Sequence, residues 1–255
     1  MKRVIPVVLI EEGRVIKTRS FSKPRYIGDP LVVCKIFEEK EADEILLLDR
    51  GASRSKGIDF DLISTIVSEC FIPISYGGGV ANINQVDQLI RAGVDKVVIN
   101  TNLTKNISLL DEIADRFGAQ VVIAGVDFKK DFLGRRRLVT DGGRKKHRTE
   151  IKEHIGNILR RKVGELLLTD IDREGSMQGF DMDNFEELAM GANVPVIISG
   201  GAGDRSHILS ALGCRNISAV GCGSFFVYSG PRRGILVTYD KFDDSRDDFE
   251  PNKNN

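Results

Sequence analysis

Two stretches of this chain, 121 to 123 residues apart, carry the same succession of chemistry. Residues 44–49 read EILLLD. They lead through a polar loop, an amphipathic stretch, Pro73, the run Gly77-Gly78-Gly79 and a second amphipathic stretch to Val97-Val98-Ile99-Asn100-Thr101. Residues 165–170 read ELLLTD and lead through Pro195, Gly200-Gly201 and another amphipathic stretch to Ala219-Val220-Gly221-Cys222-Gly223-Ser224. Glu44 thus matches Glu165, Gly77 matches Gly200, and Thr101 matches Ser224. Two such halves in one chain point to a symmetric closed architecture and to a ligand with two similar ends.

Eight short apolar runs, at 4–10, 44–49, 72–76, 95–100, 121–127, 165–170, 194–199 and 218–222, alternate with longer amphipathic stretches. Continuous Val/Ile/Leu runs suggest strands buried on both faces, as in a parallel sheet under helices. Helices are predicted over 29–42, 59–69, 82–93, 104–117, 149–162, 181–190 and 204–213, with Asn82 and Asn84 as candidate caps of the third. The length of 255 residues suits one such domain. The predicted fold is a (βα)8 TIM barrel with half-barrel duplication, halves about 1–118 and 119–240. No good eighth helix follows Ser224, because Gly230-Pro231 interrupts the segment and 235–239 is β-branched and aromatic. Residues 128–148 are predicted to form a loop or small hairpin, and 241–255 a charged, disordered tail.

Thirty-seven basic residues balance thirty-seven acidic ones, so nothing calls for a nucleic acid polymer or a membrane as partner. The four cysteines lack metal-ligand spacing. No metal and no cofactor is implied. The opening MKRVIPVVLI is too short for a signal peptide or a membrane span, and a cytoplasmic location is expected.

A glycine run after a strand lets backbone N–H groups approach an anion. Gly77, Gly78 and Gly79 with Asn100 and Thr101 form one candidate phosphate cradle. Gly200, Gly201 and Gly203 with Gly223 and Ser224 form the second, after strands seven and eight, where this fold characteristically holds phosphate. Glycines there also serve tight turns alone; duplication of both glycine run and hydroxyl favours the cradles. Among strand-end carboxylates, Asp49 and the pair Asp170 and Asp172 are candidates, and Asp127 is the preferred general acid/base. Asp127 is also suited to capping a helix or anchoring a loop. Lys17 and Arg14 are placed to meet an anionic substrate, or else water. The three histidines have no triad-like partners and are read as surface residues. Aligning strand one with strand five pairs Asp127 with Leu9, which cannot move protons.

The motifs GRVIK (13–17), ADEILLLD (42–49), GGGV (77–80), AGVDKVVIN (92–100), ADRFG (114–118), DGGRK (141–145), GELLLTDIDREG (164–175) and ISGGAG (198–203) resemble, in order, the cyclase subunit of imidazole glycerol phosphate synthase. The resemblance implies a synthase that receives ammonia from a glutaminase subunit through the barrel and turns a phosphorylated small-molecule substrate into imidazole glycerol phosphate. It places an ammonia gate at Arg3, Glu44, Lys96 and Glu165 and a partner contact at Asp95. It adds Gly175 to the phosphate set, puts the conserved lysine at Lys17, and makes Leu9 and Asp127 the positions of two catalytic aspartates. Leu9, Asp170, Glu174 and the abbreviated last helix depart from the family pattern. These departures resemble paralogous second-copy subunits of surface-polysaccharide clusters. The expected function is therefore ammonia-dependent synthesis on a nucleotide sugar, with a glutaminase and a separate sugar amidotransferase as partners and Asp127, Lys17 and Asp170 as catalytic residues. The alternatives are the histidine-pathway cyclase and a non-catalytic ammonia scaffold.

Overall fold

The computed structural model describes residues 2–52 and 57–242. Eight parallel strands form the barrel: β1 (Arg3–Glu11), β2 (Ile45–Asp49), β3 (Ile74–Gly77), β4 (Lys96–Ile99), β5 (Val122–Lys130), β6 (Glu165–Asp170), β7 (Val196–Ser199) and β8 (Ala219–Cys222). Each pairs with the next in chain order, and β8 returns to β1 with Arg3 beside Ala219 and Pro6 beside Cys222. The sheet has no open edge. This is a (βα)8 TIM barrel.

Alternating side chains sort into two cores. Ile5, Val7, Leu46, Val98, Ile123, Leu167, Ile197 and Ala219 fill the barrel interior. The other parity, including Val4, Val8, Leu47, Val97, Ala124 and Leu168, packs outward under the helices. Those helices are α1 (Pro30–Glu39), α2 (Phe60–Glu69), α3 (Ile83–Ala92), α4 (Leu109–Phe117), α5 (Ile151–Leu159), α6 (Met182–Ala189) and α7 (Arg205–Gly213). Local signals set their ends. Asp29, Asp59, Asn82 and Asp204 each accept a backbone N–H of the first turn, and Gly93 closes α3 in the left-handed conformation at φ +105°. A side-chain cap of this kind contributes about 1 kcal/mol. Asn82, and not Asn84, is the cap of α3.

Strand registers refine the internal repeat. Leu48 pairs with Gly77, and Thr169 pairs with Ser199. The structural counterpart of Gly200 is therefore Gly78, not the Gly77 chosen by sequence matching. The two share a conformational demand: φ is +142° at Gly78 and +104° at Gly200, and a Cβ at either would collide with the carbonyl oxygen of Asp49 or Asp170. The same registers pair Leu9 with Leu48 and Asp127 with Thr169, which makes Leu9 and Asp127 equivalent in the two halves.

Three segments add detail to the sequence reading or depart from it. β1 continues through a turn at Glu12-Gly13 into an antiparallel hairpin, Arg14–Arg19 with Ser22–Gly28, where only loop was expected. The 128–148 segment is a hairpin as foreseen, with β5 extended against Arg136–Thr140 and Lys145–Lys146 added. After β8 a single 3-10 turn, Ser224–Phe226, and a two-residue pairing of Tyr228–Ser229 with Gly234–Ile235 stand where an eighth helix would lie. The predicted tail lies, from residue 243 onward, outside the described residues.

The chain ends its described course by burying Tyr239 against Phe226, ring centroids 4.9 Å apart, with its hydroxyl donating to the Val4 carbonyl at 3.2 Å. An aromatic side chain thus does the covering work of the missing helix. Tyr239→Ala is expected to lower stability by about 3–5 kcal/mol and Tyr239→Phe by only about 1 kcal/mol. Urea unfolding midpoints check both values. Equal small losses would show that the segment is not part of the cooperative core.

Candidate active site at the barrel mouth

Both glycine runs lie at the C-terminal ends of their strands and open on one face of the barrel. The first cavity, about 320 Å3, is lined by Asp49, Gly77, Gly78, Gly79, Asn100, Thr101 and Asp127 among others. A smaller one, about 50 Å3, is lined by Lys17, Glu174, Gly175, Gly200, Gly201, Gly223 and Ser224 among others. Leu9, Phe21, Leu48 and Thr169 border both cavities, so the two form one mouth with a cradle at each side. Of the sequence-predicted phosphate residues, Gly203 alone borders neither; it packs against the backbone of Met177.

Asp127, on the inward parity of β5, lines the first cavity beside Thr169, which borders both. Burial pushes its carboxyl up to about 7, while hydrogen bonding by Asn100 and Thr169 opposes the rise. A carboxyl poised near neutrality is suited to both giving and taking protons. Lys17 is buried behind the second cradle, with Nζ donating to the Val7 carbonyl at 2.6 Å. Burial lowers it to about 8, and the nearby Glu174 partly restores it. Gly223 must lack a side chain for this lysine to pass, since a Cβ there would lie 2.8 Å from Nζ. A phosphate above Gly223 and Ser224 therefore meets a cation from below.

The other carboxylates are loop anchors. Asp49 Oδ1 accepts from the N–H groups of Gly51 and Ala52 at 2.8 and 3.0 Å. Asp170 Oδ1 accepts from the N–H of Asp172 at 3.0 Å, on the parity of Leu166 and Leu168 that faces the helices. Burial and then the neighbouring Asp172 push Asp170 up to about 6, but it borders neither cavity. Among the expected catalytic residues the fold thus brings Asp127 and Lys17 to the mouth and leaves Asp170 out.

The sequence reading missed Phe21 and Thr169. Phe21 hangs over both cavities from the hairpin turn, where Ser20 and Phe21 have φ of +51° and +54°. Glu174 holds that turn, its Oε2 accepting from Thr18 Oγ1 at 2.9 Å and from the Phe21 N–H at 3.1 Å. The Arg50 guanidinium donates to the Phe21 carbonyl at 2.9 Å and lies 5.7 Å from its ring. Thr169 was legible in principle, since ELLLTD carries a hydroxyl on the inward parity where EILLLD has Leu48.

At the opposite end, Arg3, Glu44, Lys96 and Glu165 form a closed ring of alternating charge. Arg3 bridges Glu44 at 2.7 Å and Glu165 at 2.5 Å; Lys96 bonds Glu165 and lies 3.9 Å from Glu44. Above the ring the interior is mostly apolar as far as Leu9 and Leu48, with the buried Ser75 adding a hydroxyl on the same inward parity. Asp95 beside it accepts from the Ile74 N–H at 2.8 Å. Among the described residues no cluster of three or more His, Cys, Asp or Glu is placed to hold a metal, and no helix is long and apolar enough to cross a membrane.

A family model described as histidine biosynthesis protein matches residues 3–231. The chain belongs to that family. It is similar to an imidazole glycerol phosphate synthase subunit, provisionally so designated, from Pseudomonas aeruginosa, at 38% identity over 93% of this chain and 95% of the relative. A subunit with the same provisional designation from Leptospira interrogans is 37% identical over 95% of this chain and 96% of its own length. The imidazole glycerol phosphate synthase subunit HisF of an Exiguobacterium strain is 37% identical over 83% of each chain. At family level the chain is an imidazole glycerol phosphate synthase cyclase subunit.

These matches overturn the expectation of a nucleotide-sugar synthase acting with a sugar amidotransferase in polysaccharide assembly. The family is one of histidine biosynthesis, and the relatives carry the synthase's name. The residues that prompted the expectation explain the error. Asp170 faces the helices and not the mouth, Glu174 fastens a hairpin, and the altered C-terminal segment runs down to Val4 at the far end of β1. Leu9 borders both cavities of the mouth and Glu174 the second.

Proposed function

We propose that this chain is the histidine-pathway cyclase: with ammonia it converts the formimino carboxamide nucleotide into imidazole glycerol phosphate and aminoimidazole carboxamide ribotide. The carrying observation is the pairing of two anion cradles across one mouth, with Asp127 lining the first and its hydrogen-bond partner Thr169 bordering both. A substrate phosphorylated at both ends spans them, so each phosphate positions the central carbons over the carboxyl. Backbone N–H groups and the hydroxyls of Thr101 and Ser224 hold the phosphates, with Lys17 beneath the second. Asp127 moves protons as the ammonia nitrogen adds and a carbon–nitrogen bond breaks. Ammonia enters from a glutaminase partner at the charged ring, as the resemblance implies, and rises through the apolar interior. Residues 1–118 and 119–240 act as two half-barrels, each supplying one cradle.

The test is turnover of the formimino nucleotide by purified protein with ammonium, followed by appearance of imidazole glycerol phosphate; no product at any protein concentration refutes the assignment. Thr101→Ala and Ser224→Ala are each expected to remove one charge-assisted hydrogen bond, on the order of 1.5–3 kcal/mol, or roughly 10–150-fold in Kd. Calorimetric titration with the substrate checks this. Because Asp141 N–H also reaches Thr101 Oγ1, at 3.2 Å, the Thr101 variant loosens the 141–145 loop as well, and the larger loss is expected there.

A further inference from the structure

A cavity of about 610 Å3 lies outside the barrel, between the start of α4, the hairpin and α5. Its lining is mixed: the apolar Leu103, Ile107 and Leu138 stand among Lys105, His147, His154, Arg160 and Arg161, with Glu153 as the single acid. Arg161 is matched by Asp111 at 2.9 Å, Arg160 reaches Asn157, and His147 Nε2 meets Thr140 Oγ1 at 2.8 Å. Lys105 and the buried His154 ring make no side-chain hydrogen bond or ion pair among the described residues. The exposed Lys105 and the His154 ring are left to meet a ligand beside Arg160, with hydrocarbon in the same lining, and together they describe a host for an anion with an organic body.

We propose that this cavity is a second ligand site, separate from the mouth, that takes a small organic phosphate. Arg160, Lys105 and the two imidazoles surround the phosphate, and Leu103, Ile107 and Leu138 cover the carbon skeleton. The site adjoins the first cradle: Lys105 borders both cavities, and the intervening turn is tied by Thr104 Oγ1 donating to the Thr101 carbonyl at 2.9 Å. Both imidazoles are held below the ordinary histidine value, mainly by burial and further by Lys145 for His147 and by His147 for His154. A dianion reverses that preference, so binding takes up protons and strengthens as pH falls.

The chain has three histidines, which makes imidazole NMR a direct readout. His207 stands behind the second cradle, its ring 3.0 Å from where a Gly179 side chain would begin, while the Gly179 N–H donates to the Gly201 carbonyl at 2.8 Å. It reports occupation of the mouth in the same spectrum. Titrating ribose 5-phosphate into the full chain at pH 7 is expected to move the His147 and His154 signals saturably and to raise their titration midpoints; ribose moves neither. Arg160 is exposed, so Arg160→Gln keeps the fold and is expected to weaken this binding at least fivefold. Ser224→Ala leaves it within twofold. Movement of His207 alone, an equal response to ribose, or no effect of Arg160→Gln would overturn the proposal.

Discussion

Asp127→Asn is expected to cut ammonium-dependent turnover by ~10²–10⁴-fold while making the folded protein more stable above pH 7. The two effects share a cause. The fold places a carboxyl where burial holds it at about 7, against an ordinary 3.8. Between those values the folded state keeps a proton that the unfolded chain has released. Stability contributed at this position is therefore undiminished below about pH 4, falls as pH rises towards 7, and stays reduced above it. Each pH unit of that window corresponds to about 1.4 kcal/mol; with the carboxyl opening on a solvent-filled cavity, roughly 2 kcal/mol is expected in all. Asparagine keeps the shape and removes the titration. Urea unfolding at pH 4 and pH 8 should show no gain at the lower value and the full gain at the higher.

Under the proposed function the same carboxyl sets the pH profile of the reaction. As a general base Asp127 is active when ionised, so kcat/KM is expected to rise with pH along one limb centred near 7. Leu9, at the equivalent place on β1, is 5% exposed and has no proton to exchange, so no second carboxylate limb should accompany it. A flat profile in the unmodified protein, or retained turnover in Asp127→Asn, would remove Asp127 from the chemistry.

The barrel was readable because the repeat and the apolar runs both report backbone geometry that each strand carries locally. EILLLD and ELLLTD each specify a strand buried on two faces, and their partners at Gly78 and Gly200 specify turns that no other residue tolerates. Asp127 was readable as a carboxylate closing an apolar strand, and Lys17 as a cation placed to meet an anionic substrate. The direction of Asp170 was not. Its parity follows from Leu166 and Leu168 packing outward, and one residue along a strand reverses the face. The 14–28 hairpin was missed because its buried side, Val15, Ile16 and Lys17, is short and interrupted by a lysine, and because its anchor, Glu174, lies far away in sequence. Leu9 misled for another reason: a substitution in a mouth constrains the mechanism far more than it identifies the substrate.

Glu165→Gln is expected to separate glutamine-dependent from ammonium-dependent turnover by at least tenfold, with the ammonium reaction little changed. Glu44 and Glu165 face the same two cations, yet their ionisation moves in opposite directions. Burial raises Glu44, and Arg3 and Lys96 only partly oppose it. Burial works against Glu165 too, but hydrogen bonds from both Arg3 and Lys96 outweigh it and hold the carboxyl low. Glu44 has one close bond, to Arg3, and only a 3.9 Å approach from Lys96. Glu165 is thus the member that closes the ring. Losing its charge leaves Arg3 and Lys96 sharing Glu44, which sits nearer one than the other, so Lys96 is freed to swing across the entrance. Breaking a fully buried pair costs about 3–5 kcal/mol. Here Arg3 and Lys96 keep about a quarter of their side-chain exposure, so roughly 1–2 kcal/mol is expected, with the fold intact. The mouth is untouched, and ammonium from solution reaches it without passing a docked partner. Assaying the chain with its glutaminase, first on glutamine and then on ammonium, reads the ratio directly. A parallel fall in both rates would mean that the ring only braces the barrel floor.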